Sequence, residues 1–270
     1  MGQEPPRVSV VVPTRDRPEL LRRCLAALEA QTLPVEVVVV EDSEGRGPAW
    51  ARNEGVRRGQ GEIVCFTDDD CAPIPGWAEA LAAPILSGAA QATAGRTLMG
   101  EGATVADRAW EAIVSYLQDQ AAKPGTASPG FAPTANLACR RELLERFPFD
   151  ESFPAAAGED RDWSERAARQ AAAPRLVPEA QVLHQPGMDI WGFLRQQYRY
   201  GKGAAQFRRA ALNRRLGSPA FYWGLVRCGF IAGPVPGLLV GAAQAATFVG
   251  VAIARFSSPP MTASPHSSEQ

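Results

Sequence analysis

Net charge, paired cysteines and histidine are what this sequence has least of. Its 28 Lys+Arg against 29 Asp+Glu leave a formal charge of −1, so the molecule as a whole has no field to hold a polyanion, and nucleic acid is excluded as a partner. The five cysteines (Cys24, Cys65, Cys71, Cys139, Cys228) are odd in number, and no two have CxxC spacing. That argues against a zinc ribbon, a redox motif or a disulfide framework, and for a reducing, cytoplasmic working side. The first residues, MGQEPPRVSVVV, lack a charged stretch followed by an apolar one, so no signal peptide is expected. No GxxxxGK[ST], HExxH or GxSxG occurs, which removes P-loop, zincin and nucleophile-elbow chemistry. Gly45-Arg46-Gly47-Pro48-Ala49-Trp50 has two of the dinucleotide-fingerprint glycines, but Trp50 fills the third place and the run does not follow the first strand; it is rejected.

What is present is an apolar share of 46% in 270 residues, enough for one large domain or two small ones. The charge is uneven. Residues 191–270 hold nine Lys/Arg and one acid, Glu269, so the C-terminal part stands at +8 and the rest at −9. Val8–Val12, Val35–Val40 and Glu62–Thr67 are β-branched, nearly uninterrupted apolar runs, as expected of strands covered on both faces. Between them lie a helix opened by Asp16 as cap and a helical stretch at Ala49–Arg58. Strand, helix, strand, helix, strand within 70 residues predicts an α/β fold with a mainly parallel central sheet flanked by helices. Further helices are expected at Trp77–Leu86, Val105–Gln120, Arg141–Phe147, Asp160–Ala172 and Ile190–Arg209, the last interrupted near Gly201 and Gly203. Strand Thr134–Cys139 and two short extended pieces, Arg175–Val177 and Gln181–His184, complete the pattern. Lys123–Pro133 reads as a loop, and 257–270 as a disordered tail.

Gly229–Ala254 carries no charge over 26 residues, yet contains Pro234, Pro236, five glycines and much alanine. A buried hairpin, a re-entrant segment and an interfacial anchor all fit; membrane contact is favoured because the flanking segment is basic.

Asp68-Asp69-Asp70 stands where a strand runs into a loop, the place where open α/β sheets bind ligands. Three adjacent acids repel one another, and a divalent cation with a taste for oxygen removes that repulsion. Thr14 and Asp42 follow the other two strands, so all three loops converge on one crevice. By itself Asp42 reads as a turn residue, Glu159-Asp160-Arg161-Asp162 as acids at a helix start, and His184 as a satisfied polar group.

VSVVVPTRDR, VEVVVVEDS, ARNEGV, GEIVCFTDDD and GEDRDWSER, in this order, resemble the family 2 glycosyltransferases of GT-A fold, over roughly residues 7–186. The resemblance implies a catalytic domain over 1–188, with a nucleotide half at about 7–98 and an acceptor half at about 99–188; by composition a basic then apolar helical region, 189–256, follows it. It implies an inverting, Mn²⁺- or Mg²⁺-dependent transfer from a nucleotide-diphosphate sugar, most often a UDP-sugar, to a hydroxyl of a glycan or lipid-linked acceptor. Carried over by position, Pro13, Thr14, Asp42, Arg52, Asn53, Asp68 and Asp69 border the nucleotide sugar, with Asp42 accepting from the base. Asp68 and Asp70 match the DxD motif, with Asp70 and His184 at the metal. Asp160 matches the general base of the ED motif, beside Glu159 on the acceptor side. The family commonly reads Pro-Thr-Tyr/Phe-Asn-Arg and DDGS where this chain has Pro13-Thr14-Arg15-Asp16-Arg17 and Glu41-Asp42-Ser43-Glu44, which leaves the nucleotide open. The alternatives are a sugar nucleotidyltransferase, whose glycine-rich loop after the first strand is missing, and a non-catalytic sugar-nucleotide-binding protein.

Overall fold

The computed structural model describes residues 7–123, 132–153, 157–185, 187–209 and 217–256. The loop expected at Lys123–Pro133 lies mostly outside them, and the tail at 257–270 entirely so. In chain order the elements are β1 (Val8–Thr14), α1 (Pro18–Glu29), β2 (Glu36–Glu41), α2 (Pro48–Arg58), β3 (Ile63–Phe66), β4 (Cys71–Pro73), α3 (Trp77–Leu86), β5 (Ala92–Met99), α4 (Val105–Ala122), β6 (Leu137–Arg140), α5 (Arg141–Arg146), α6 (Glu159–Arg169), β7 (Arg175–His184), α7 (Ile190–Arg209), α8 (Pro219–Ile231) and α9 (Pro234–Phe256).

Seven strands form one sheet in the order β2-β1-β3-β6-β5-β7-β4. The β2/β1, β1/β3 and β5/β7 pairs are parallel, while β3/β6, β6/β5 and β7/β4 are antiparallel. The N-terminal half is thus the parallel unit that the three apolar runs announce, and antiparallel strands extend it. The β1 run is buried on both faces. Val8, Val10 and Val12 pack under α1 and α3 with Cys24, Leu28, Trp77 and Leu81, and Val11 packs on the opposite side with Phe66, Trp163 and α2.

Local signals are overridden at three places. Asp16 does not cap α1: it sits at φ 53° with its side chain exposed, and Arg17 takes the cap position because Pro18 occupies the first helical turn. β1 runs through Pro13 to Thr14, paired with Val40 and Glu41 of β2. The two extended pieces near 175–184 are one strand: the register against β5 shifts between Ala94 and Arg96, and the extra residues around Pro178 are taken up there.

β5 carries no sequence signal, since ATAGRTLM lacks a β-branched run; it forms because β6 and β7 flank it. α7 is continuous through Gly201 and Gly203. A Cβ at Gly201 would collide with the Thr247 carbonyl oxygen of α9, and one at Gly203 with the carbonyl oxygen of Ala157, so these glycines are close-approach points and not breaks. α4, α7, α8 and α9 share an apolar cluster that includes Trp110, Ile113, Phe193, Leu225 and Val240. The charge-free stretch is therefore the end of α8 and nearly all of α9. α9 is the one helix among the described residues that is long and apolar enough to cross a membrane, and it packs with one side on the body.

Candidate active site

Because β1, β2 and β3 are parallel, Thr14, Asp42 and Asp68–Asp70 emerge at the same edge of the sheet. The Thr14 hydroxyl donates to Asp69 Oδ2 at 2.7 Å, which ties the first and third loops together. The acid triad alternates: Asp69 is buried, whereas Asp68 and Asp70 keep part of their carboxyls open to the crevice. Arg17, from the start of α1, reaches both Asp69 and Asp70 at 3.3 Å. Asp69 thus serves Thr14 and Arg17, and reaches the crevice only through them.

β4 lies antiparallel to β7 with Cys71 opposite His184, and this cross-strand pairing brings His184 Nε2 to 3.5 Å from Asp70 Oδ1. The Gln185 N–H donates to the Asp70 carbonyl at 2.8 Å and holds the two strands in that register. The imidazole stacks on Trp110 with ring centroids 4.9 Å apart. Its Nδ1 is buried and makes no hydrogen bond among the described residues. Burial pushes the Asp70 carboxyl above the usual carboxylate range; His184 opposes this, and Asp68 and Asp69 add to it. Asp70, the Cys71 thiol and His184 have donor atoms within 4.8 Å of one another. A carboxylate and an imidazole at this spacing, with further acids beside them, suit a borderline or hard divalent ion.

Arg52 of α2 links the two acidic segments. Its guanidinium donates to Asp68 at 3.1 Å and to Glu159, the first residue of α6, at 3.0 Å, and both Arg52 and Glu159 are buried. Burial alone pulls the guanidinium down, but Asp68, Glu159 and Asp160 outweigh it and raise it. Asp160, next along, accepts from the Arg161 N–H at 2.7 Å. Desolvation, then the charge of Glu159, lifts the Asp160 carboxyl to about 7, against the opposing pull of Arg52 and Arg161. Asp162 pairs with Arg166 on the same helix and fits the plain reading of an acid in a first turn.

Not every residue expected at the nucleotide opens toward it. Both Asp42 oxygens accept backbone N–H groups, from Arg46 at 2.8 Å and Gly47 at 2.7 Å, so Asp42 shapes the loop leading into α2. Asn53 donates to Phe149 O and Glu151 and accepts from the Phe149 N–H, clamping the 149–151 segment. Pro13 lies within β1. Conversely, Arg17, Trp110 and Tyr200 belong to the crevice without having been singled out by the sequence. Tyr200 of α7 has a part-exposed ring, yet its hydroxyl end is desolvated and lies in the field of Asp160, both of which raise the phenol.

Residues 43–147 match the model of Glycosyl transferase family 2. The chain is a glycosyltransferase that resembles family 2 over this segment. This glycosyltransferase is 26% identical over 232 residues to the glycosyltransferase AglE of Haloferax volcanii, covering 74% of each chain. It is 28% identical over 222 residues to the pre-mycofactocin glycosyltransferase of Mycobacterium tuberculosis, covering 73% of this chain but 47% of that one, so it spans about half the length of that relative. Its fold is that of the mannosyltransferase PcManGT from Pyrobaculum calidifontis, solved with GDP-Man and Mn²⁺, with a TM-score of 0.55 at 20% identity over 95% of this chain and 77% of that one. The GT-A fold is thereby established.

Proposed function

We propose that this glycosyltransferase moves a sugar, with inversion, from a nucleoside-diphosphate donor to an acceptor hydroxyl, in a divalent-metal-dependent reaction. The observation that carries this reading is one connected set of charged groups: the Asp70–His184 pair is joined to Glu159, the neighbour of Asp160, through Asp68 and Arg52. Asp70 and His184 would hold Mn²⁺ or Mg²⁺, which when bound neutralises the charge that builds on a departing diphosphate. Asp68 and Thr14 border the donor at the sheet edge. Asp42, Arg52, Asn53 and Asp69 act behind them by fixing the loops that shape the nucleotide site.

Asp160 is the general base. An acceptor hydroxyl is a weak nucleophile near neutral pH; as its oxygen bonds to the anomeric carbon, the proton passes to the Asp160 carboxylate and the bond to the diphosphate breaks. Asp68 and Glu159 are engaged by Arg52, so Asp160 acts as the base and not as a covalent nucleophile, and a single displacement inverts the anomeric centre. Glu159, paired with Arg52, lies beside Asp160 and raises its carboxyl. A UDP-sugar is the first donor to test, and a GDP-sugar the second. The acceptor is a cell-surface glycan, a glycolipid or another glycosylated product. The free thiols of all five cysteines support a cytoplasmic site of action, and the apolar C-terminal helices support one close to a membrane.

The test compares Asp160→Asn with Asp70→Asn. Asp160→Asn should keep nucleotide-sugar and Mn²⁺ binding in a thermal-shift assay while transfer falls about 10²–10⁴-fold. Asp70→Asn should lose the Mn²⁺-dependent part of that shift. Normal transfer by Asp160→Asn would remove Asp160 from its role.

A further inference from the structure

Among the described residues, large apolar side chains exposed on the surface concentrate in one region. Of the fourteen such residues that are described, eleven lie between Ile190 and Ile253, and Val37, Leu86 and Leu183 lie elsewhere. They are ordered by helical spacing. α8 turns Trp223, Arg227, Phe230 and Ile231 outward, with Trp223 72% and Ile231 78% exposed. α9 presents Val235, Leu238, Ala242, Ala245, Val249 and Ile253, an i, i+3, i+7 stripe without a charge. α7 presents Trp191, Arg195, Arg199 and Lys202, which are aromatic at one end and cationic along the rest. From residue 190 to 256 the sequence has nine Lys/Arg and no acid.

We infer that the outward faces of α7, α8 and α9 form a docking surface for an anionic lipid bilayer, on which α9 lies in the membrane plane and does not span it. The occupant follows from charge and composition. Aliphatic stripes rimmed by arginines, with exposed tryptophans, are the pattern of helices lying at the headgroup boundary, where Arg227 extends its charge past the apolar side chains around it. The three helices carry cations and no acid, while Asp189 is engaged at the start of α7 and Asp119, near α8, is paired with Arg96. The net positive face complements anionic headgroups, and a second copy of this chain would bring the same positive face against it.

Spanning is opposed by packing. The inner stripe of α9, with Val240, Ala243, Gly250 and Val251, is buried. Gly201 and Gly250 let the α7 and α9 backbones touch, and Gly203 sets α7 against Ala157, two residues before Glu159. Pulling α9 across a bilayer would strip Phe193 and Val240 of their cover and detach the helix that backs the Asp160 loop. Docked in the plane, α7 carries the crevice at the membrane surface, within reach of a lipid-linked acceptor. This inference does not depend on the donor or metal reading.

The test uses the full chain in flotation with phosphatidylcholine vesicles made with and without phosphatidylglycerol. The protein should float with the phosphatidylglycerol vesicles, lose binding as salt is raised, and come off in alkaline carbonate without detergent. Ile231→Glu with Leu238→Glu and, separately, Arg195→Glu with Arg199→Glu should each lower the bound fraction at least about tenfold at an unchanged melting temperature. Should a charged variant not fold, quenching of the wild-type tryptophan emission by brominated phosphatidylcholine, reduced in Trp223→Phe, gives the same answer. Failure to float, binding indifferent to phosphatidylglycerol and salt, unquenched emission, or resistance to carbonate would each overturn the inference. So would a soluble dimer that Leu238→Glu dissociates and that binds no vesicles, which would assign the face to a second copy.

Discussion

Asp160 shows how one residue's behaviour is set by its surroundings. Desolvation and the charge of Glu159 raise its carboxyl to about 7, where a base is half ionised near neutral pH. Groups facing it are Glu159, Arg161, Arg52 and the Tyr200 phenol. Only the ionised form takes a proton, so kcat/KM should rise with pH through about 7 and level off above it, and initial rates across pH in a fixed metal concentration check this. The same raised value means that the folded state holds this proton where the unfolded chain has lost it. Stability contributed by Asp160 is therefore present at low pH and lost as pH rises from about 4 to 7, the reverse of a salt-bridged acid. Arg52 is a second such residue. Arg52→Ala leaves Glu159 buried without its partner, and denaturant unfolding should show a loss of about 3 kcal/mol. A double-mutant cycle with Glu159→Gln should return much of that loss, since the stranded charge is then gone.

At the scale of elements, the candidate site is assembled by pairings that join distant parts of the chain. His184 reaches Asp70 because β4 and β7 lie side by side, although 113 residues separate Cys71 from the residue opposite it. The long apolar runs of β1 to β3 were legible because strands buried on both faces need continuous hydrophobicity. β5 was not, since its alanines and glycine fill a narrow space between neighbours and have no preference of their own. α7 is the element that joins the segment before Glu159 to the C-terminal helices. Gly203→Val should push the Ala157 carbonyl away, lowering the melting temperature by the equivalent of about 1–3 kcal/mol and reducing kcat more than nucleotide affinity. Calorimetry and steady-state rates separate the two effects.

For the whole molecule, α8 and α9 are part of the folded body and do not form a detachable appendage. A chain ending at residue 217 should lose solubility and cooperative unfolding, because Trp110, Ile113 and Phe193 lose the cover of Leu225 and Val240; size-exclusion chromatography and a melting curve would show it. Treatment with a chelator should abolish transfer while leaving the fold intact by circular dichroism, and Mn²⁺ should restore it. From its residue order alone this chain determined its α/β character, the converging acids at the sheet edge, the likeness to family 2 glycosyltransferases and the charge-free C-terminal stretch, because each is written in local periodicity or contiguous motif. Tertiary structure alone decided that Asp42 and Asn53 are spent on shaping loops, that Arg17, Trp110 and Tyr200 join the crevice, and that α9 keeps one side buried. Those outcomes depend on which side chains meet across the sheet and between helices, and contacts between residues far apart in the chain leave no mark in the spacing of either partner.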